Sequence, residues 1–217
     1  MTKKSDAPSK RTRVKRLHER GRYDRETIYS ILDATPVCHV SYVIDGRPAI
    51  TPTLQWREGD RVYWHGSNAS QMLRAAKDND VCLAVTLLDG LVLARSALHH
   101  SVNFRSVLVF GRPEQVPDHE KEMRMRNFLD GLYPGRWESL RPIQAKELKA
   151  TMVLSMPIDE ASAKVRTGQP VDDEEDYALP IWAGVVPLAQ TTQPPEADPR
   201  NLPDVEIPDH VRAIKPG

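Results

Sequence analysis

Residues 81–111, VCLAVTLLDGLVLARSALHHSVNFRSVLVFG, constrain the fold more than any other stretch of this chain. Both ends are apolar and β-branched, the composition of buried strand. Between them lie Arg95, Ser96, His99, His100, Ser101, Asn103, Arg105 and Ser106. Core strands therefore carry cations, hydroxyls and an amide into one small volume. Buried polar groups cost roughly 1–3 kcal/mol each when unpaired, so the cluster requires partners. Those partners are either protein groups or the phosphate and ring edges of a ligand. Asp89 and Glu114 are the nearest carboxylates in sequence.

The rest of the chain supplies further short strands. A helix capped by Asp24 carries Ile28, Ile31 and Leu32 on one face and ends at Pro36. Strand 37–44 meets strand 49–56 through Asp45-Gly46, a strong two-residue hairpin signal. Pro52 inside the second strand marks an edge, a bulge or a bend. Glu58-Gly59-Asp60 turns into strand 61–65, and Ser67 or Asn68 caps a helix bearing Met72, Leu73 and Ala76. The pattern continues with strands 81–87 and 91–95 around Asp89-Gly90, then strand 106–110 and a helix 118–132. A helical turn at 144–150 leads to a last core strand, 151–158, and residues 162–166 add an edge strand. Six or seven strands joined by hairpins, with helices inserted rather than alternating, predict a mainly β antiparallel barrel.

Charge divides the chain unevenly. Residues 1–25 hold ten Lys/Arg against three Asp/Glu, and residues 157–180 hold seven acidic against two basic. This predicts a basic arm over residues 1–22, a barrel domain over 23–188 and a proline-rich acidic tail over 189–217. The arm has no interleaved aromatics beyond Tyr23 and no recognition helix follows it, which argues against nucleic-acid binding. No apolar run approaches the ~20 residues of a membrane span and the N-terminus has no apolar leader, so a cytoplasmic protein without membrane attachment is expected. Cys38 and Cys82, each inside an apolar run, read as reduced buried thiols, and no Cys/His spacing suits a metal.

Several groups have residue types suited to chemistry. His65-Gly66-Ser67-Asn68-Ala69-Ser70 places glycine and hydroxyls between a strand end and a helix start. That arrangement serves either as an anion site or simply as a helix cap. His65 at its lip is either a ligand contact and proton donor or a hydrogen-bonded strand end. Arg95, Asn103, Arg105 and Ser106 suit phosphate and heterocycle edges, or else ion pairs. Adjacent His99 and His100 point apart on an extended chain, so a shared metal is not expected. Trp182, in the apolar run 179–188, is either an anchor on a ligand or partner, or core. Lys164 and Arg166 share one strand face and either approach an anion or form an ordinary solvated edge. Neither a nucleophile elbow nor a P-loop is present, which disfavours covalent catalysis by the protein.

Taken in order, RVKRLHERGRYD at 13–24, VYWHGSNASQML at 62–73, LLDGLVLARSALHHSVNFRSVLVFG at 87–111, ELKATMVL at 147–154, AKVRTG at 163–168 and LPIWAGVVPL at 179–188 resemble the pyridoxamine 5'-phosphate oxidase-like FMN-binding split β-barrels, and within them the nitroimidazole-reductase-type branch. The resemblance implies a homodimer with FMN at the subunit interface. It implies that Gly66, Ser67 and Ser70 approach the FMN phosphate, and that Thr51, Thr53, Leu54 and Gln55 run beside the flavin ring. Asn103, Arg105 and Ser106 would line the cofactor, Trp182 would reach over from the partner, and His65 would lie near the flavin as the catalytic residue. The sequence departs from true pyridoxamine phosphate oxidases at Gln71-Met72, where those enzymes are basic, and in its acidic tail. The expected function is an FMN-dependent oxidoreductase acting on a small molecule, with reduced nicotinamide as donor. The alternatives are a non-catalytic flavin carrier, or a split barrel holding deazaflavin or haem with His65 or His99 near it.

Overall fold

A computed structural model describes residues 6–77 and 79–214; residues 1–5 of the expected basic arm and 215–217 of the expected tail lie outside them. The rest of the arm lies against the barrel: Thr12 is buried, Arg11 pairs with Glu160 and covers the Phe110 ring, and the Val14 N–H donates to the Tyr23 hydroxyl. A two-residue strand β1 (Gly21–Arg22) precedes helix α1 (Arg25–Asp33). The Asp24 carboxylate accepts from the Thr27 N–H at 2.8 Å, and Ile28, Ile31 and Leu32 are buried, as their spacing predicts.

Strands β2 (Val37–Ile44) and β3 (Arg47–Glu58) form a hairpin whose turn residues Asp45 and Gly46 have φ of 49° and 74°. Both values suit the type I′ turn, which glycine adopts without strain. β4 (Arg61–Ser67), helix α2 (Gln71–Ala76), β5 (Val81–Leu93), β6 (Ser101–Gly111) and β7 (Glu114–Gln115) follow. Helices α3 (Lys121–Leu132) and α4 (Ala145–Ala150) precede β8 (Thr151–Pro157), β9 (Glu160–Arg166) and β10 (Gly184–Pro187).

All pairings are antiparallel, in the order β1-β9-β6-β5-β2-β3-β4-β8-β7, with β10 on the far part of β5. Seven strands are long and three are short, in accord with the predicted mainly β split barrel. The split lies within β3. This strand pairs with β2 as far as Val37↔Leu54 and with β4 from Gln55↔Trp64 onward. Both sheets fill one core, Val40, Leu83, Val85 and Val107 from one side meeting Val62, Trp64, Leu154 and Met156 from the other. Deleting a fully buried side chain here, as in Leu154→Ala, costs about 2–5 kcal/mol. Cys38 lies in the same core, where burial pushes its thiol up to about 12; neither cysteine is in a disulfide.

Three local expectations change. Asp89-Gly90 is not a hairpin turn: β5 runs straight through it, pairing Leu88↔Phe104 and Gly90↔Asn103, with Asp89 as the extra residue of an irregularity. The polar residues 101–106 belong to β6 itself. β9 is an inner strand between β6 and β1, not an edge. The opposite face of the larger sheet carries open apolar side chains, among them Val43, Ile50 (62% exposed) and Leu88 (50% exposed). After β10 the chain is exposed and without regular structure until a short helix α5 (Asp209–Arg212), where His210 approaches Gly135. No helix among the described residues is long and apolar enough to cross a membrane.

Candidate functional site

Where β3 changes sheets, β4 loses a neighbour. His65, Gly66 and Ser67 pair with Val153, Met152 and Thr151 of β8, while β3 pairs with β4 only from Gln55 to Glu58. The opening is lined by aromatic rings. His65 packs edge-on against Trp56 at 5.9 Å and Phe128 at 5.1 Å, and Trp56 stacks on Tyr63 at 5.4 Å. The His65 Nδ1 atom is buried and has no protein partner. Burial holds its pKa below the ordinary 6.5, so the ring is neutral at neutral pH.

Gln55, on the opposite face of β3 from Trp56, is buried and ties the strand to the end of α1. Its Nε2 donates to the carbonyls of Leu32 at 2.7 Å and Thr35 at 2.8 Å, while its Oε1 is buried without a partner. A pocket of about 240 Å³ opens here between Gln55, Trp56, Pro36, Phe128 and Leu132. Upstream on β3, Thr51 Oγ1 lies 3.0 Å from the Tyr42 hydroxyl, Thr53 is half-buried, and Leu54 is exposed on the outer face.

The turn after β4 is first of all a helix cap. The Ser70 hydroxyl oxygen accepts from the Leu73 N–H at 3.4 Å, Ser67 Oγ from the Ala69 N–H at 3.1 Å, and the Ser67 carbonyl from the Ser70 N–H at 2.8 Å. Both hydroxyl protons remain available to an acceptor outside the turn. A Cβ at Gly66 would stand 3.2 Å from Leu73 Cδ1, so the strand end and helix pack closely at this residue. Arg74 donates to the Ala69 carbonyl at 2.9 Å, bringing a cation beside the turn that the sequence reading did not single out.

The β6 cluster resolves into separate arrangements. Arg105 donates from Nε and Nη2 to Asp89 at 3.0 and 2.8 Å, so its charge is matched within the protein. Ser106 lies opposite Lys164 and its hydroxyl donates to the Lys164 carbonyl at 3.4 Å. Asn103 is buried, donating to the Gly168 carbonyl at 3.1 Å and accepting from Arg166. Arg95 pairs with Asp172 at 3.0 Å and stacks over Tyr177; Glu114, the other carboxylate considered, pairs instead with Arg61. His99 Nδ1 is buried 3.5 Å from Asp172 Oδ1, whereas His100 is exposed. His99, Asp172 and Asp176 converge, but Asp172 is already held by the backbone N–H and guanidinium of Arg95. Trp182 is 69% exposed, with its ring over Gly184, where a Cβ would stand 2.9 Å away.

Within one chain, then, β3 and β4 bring together Trp56 and His65, Gln55 lies opposite Trp64 on the other face, and Gly66, Ser67 and Ser70 form one turn. Asn103, Arg105 and Ser106 lie on another strand, and the Trp182 ring stands over Gly184. Trp56, Phe128 and Arg74 were not singled out from sequence. Trp56 had a signal, since it follows the strand assigned to the ring, but Phe128 comes from a helix seventy residues away whose docking no local pattern shows.

Comparison with known proteins places this geometry. The family model described as pyridoxamine 5'-phosphate oxidase matches residues 24–165. A search of curated proteins found no match. The chain is 56% identical to the flavocytochrome Anf3 of Azotobacter vinelandii, with a TM-score of 0.95 over 98% of this chain and 100% of that one. It is 36% identical to a FAD and haem binding protein of Mycobacterium smegmatis, with a TM-score of 0.87 over 91% and 98%. A 5-nitroimidazole antibiotic resistance protein of Bacteroides thetaiotaomicron shares 20% identity, with a TM-score of 0.56 over 67% and 86%, and so shares the fold. The nitroimidazole-reductase-type branch expected from sequence therefore gives way to the flavocytochrome-type relatives. The barrel, its split strand and the family match agree: the chain belongs to the pyridoxamine 5'-phosphate oxidase family.

Proposed function

We propose that this protein is a flavin- and haem-binding redox protein, with FAD rather than FMN as its flavin. The observation that carries the reading is the 56% identity, over 98% of the chain, to a flavocytochrome. The relative at 36% identity is a FAD and haem binding protein and supports the same choice of cofactors. When bound, the flavin supplies two-electron chemistry and the haem one-electron chemistry.

The residues that would hold such groups are His65, the turn after β4 and Gln55. His65, with an imidazole neutral at neutral pH and a nitrogen without a protein partner, is the residue that would hold the haem iron. The same neutrality makes His65 a poor proton donor at neutral pH, so its role shifts from acid to ligand. His99 is the less suited of the two, because Arg95 and Asp172 surround it with charge. Ser67 and Ser70 would donate their hydroxyl protons to the flavin phosphate, with Arg74 as the adjoining cation. The orphan Gln55 Oε1 would accept from the flavin ring edge, beside the backbone of Thr51, Thr53 and Leu54.

The apolar side chains exposed on the outer face of the larger sheet, such as Val43, Ile50 and Leu88, support a homodimer through that face. In that dimer the exposed Trp182 would close over the partner's cofactor. A second reading, a haem-free flavin-dependent oxidoreductase reducing a small molecule with reduced nicotinamide, is favoured by the family match alone.

An absorption spectrum of the purified protein, with chromatography of the extracted flavin, tests both. A haem Soret band together with FAD supports the proposal, and the band disappears in His65→Ala. Flavin without haem after expression with haem supplied supports the second reading. Absence of any flavin overturns both.

A further inference from the structure

Several partly buried arginines have a carboxylate: Arg61 has Glu114, Arg95 has Asp172 and Arg105 has Asp89. Arg57 and Arg124 likewise pair with Asp33 and Glu58. Arg166 is more deeply buried than these and has none. It is 7% exposed, less than any other arginine among the described residues, and no carboxylate lies within ion-pair distance of it there. Its guanidinium donates to two neutral oxygens, Asn103 Oδ1 and the Gln169 carbonyl at 3.4 Å. Burial, together with the positive charge of Arg20, depresses its pKa.

A buried cation left without a counter-charge costs several kcal/mol, so the fold retains Arg166 at a loss unless something anionic arrives. The surroundings are built for such an arrival. Lys164 lies two residues earlier on the same strand and therefore on the same face. Across the ladder, Phe104 stands opposite Arg166 and Ser106 opposite Lys164. Gly168, with φ of 105°, turns the chain so that its carbonyl takes the Asn103 amide, which holds the Asn103 oxygen on Arg166. Two cations, a hydroxyl and an aromatic ring thus occupy one stretch of β6 and β9. The solvated edge expected for Lys164 and Arg166 is not what the fold makes of them.

We infer that Arg166 and Lys164 form a phosphate-binding site for a flavin nucleotide, with Phe104 beside the ligand's organic portion. The inference rests on the flavin reading above and adds a second phosphate contact, separate from the β4–α2 turn. A planar guanidinium suits phosphate bidentately, and Lys164 adds a point charge. The phosphate is either the 5'-phosphate shared by FMN and FAD or the adenylyl phosphate that FAD alone carries.

Flavin-fluorescence titrations of the apo-protein with riboflavin, FMN and FAD test this, using wild type, Arg166→Gln and Lys164→Met. Charge-assisted hydrogen bonds of this kind are worth about tenfold or more in affinity. A tenfold loss for FMN and FAD with riboflavin unchanged assigns the site to the 5'-phosphate. A loss for FAD alone assigns it to the adenylyl phosphate. Equal losses for all three ligands, or none for any, overturn the inference. Lys164 is only half-buried, so its variant gives a folded control if Arg166→Gln melts early. Should wild type bind no flavin, the flavin reading fails, and inorganic pyrophosphate then tests the site itself. Thermal stabilisation by pyrophosphate that is lost in both variants sustains it, and no stabilisation of wild type removes it.

Discussion

Asp89 and Arg105 face each other across the irregularity in β5, the carboxylate accepting two N–H groups at 2.8 and 3.0 Å. The residue inserted into one strand thereby neutralises the cation on the next. Arg105, the arginine that resemblance would give to the cofactor, is already occupied. With both side chains about a third exposed, their coupling is that of a partly screened pair, about 1 kcal/mol. A double-mutant cycle of Asp89→Ala and Arg105→Ala should return that coupling, each single change lowering Tm by about 2–4 °C. Flavin affinity should stay within about twofold of wild type in Asp89→Ala, a direction consistent with a structural pair. A large loss would return Arg105 to the cofactor.

His65 gives the apo-protein a pH dependence whose sign follows from its burial. Its folded pKa lies below the ordinary 6.5, so in acid the unfolded chain takes up a proton that the folded chain refuses. Stability from this residue is present above that ordinary value and declines as pH falls through it. The difference in Tm between about pH 7.5 and about pH 5.5 should be smaller in His65→Gln than in wild type. Identical differences would mean that the ring is not desolvated in solution.

The apolar outer face should govern assembly. Ile50 and Leu88 are 62% and 50% exposed on the larger sheet, far from the barrel core. Ile50→Glu with Leu88→Glu would place carboxylates into any contact made by that face, while leaving the fold of a single chain intact. Sedimentation should show wild type as a dimer and the double variant as a monomer with weakened flavin binding. A double variant that remains dimeric would move the interface elsewhere.

Much of this was legible in the residues because it is local. The Asp24 cap, the Asp45-Gly46 turn and the alternating burial of β2 follow from side-chain period and turn chemistry. Asp89-Gly90 carries the same turn signal yet forms no turn, because β6 continues to pair on both sides of it. Pairing of that kind is a property of two strands, and neither contains it alone. Period two also showed that Lys164 and Arg166 share a face, but not that Arg166 is covered. Its cover comes from Asn103 and the turn beyond Gly168, brought there by the sheet. The turn after β4 was legible as a helix cap, and the neighbouring cation, Arg74, was missed because its relation to the Ala69 carbonyl lies in the helix geometry.

The change of partner between Leu54 and Gln55 also bears on how such chains can diverge. On one side of that peptide the register of β3 is fixed by β2, and on the other by β4. A single inserted or deleted residue there would turn Trp56 and Gln55 to the opposite face while leaving Thr51 and Thr53 where they are. The two halves could not both be satisfied, and the aromatic lining of the opening would be lost in one step. Length variation should therefore accumulate at the Gly59 turn and in the exposed stretch after Pro187, and avoid the middle of this strand altogether.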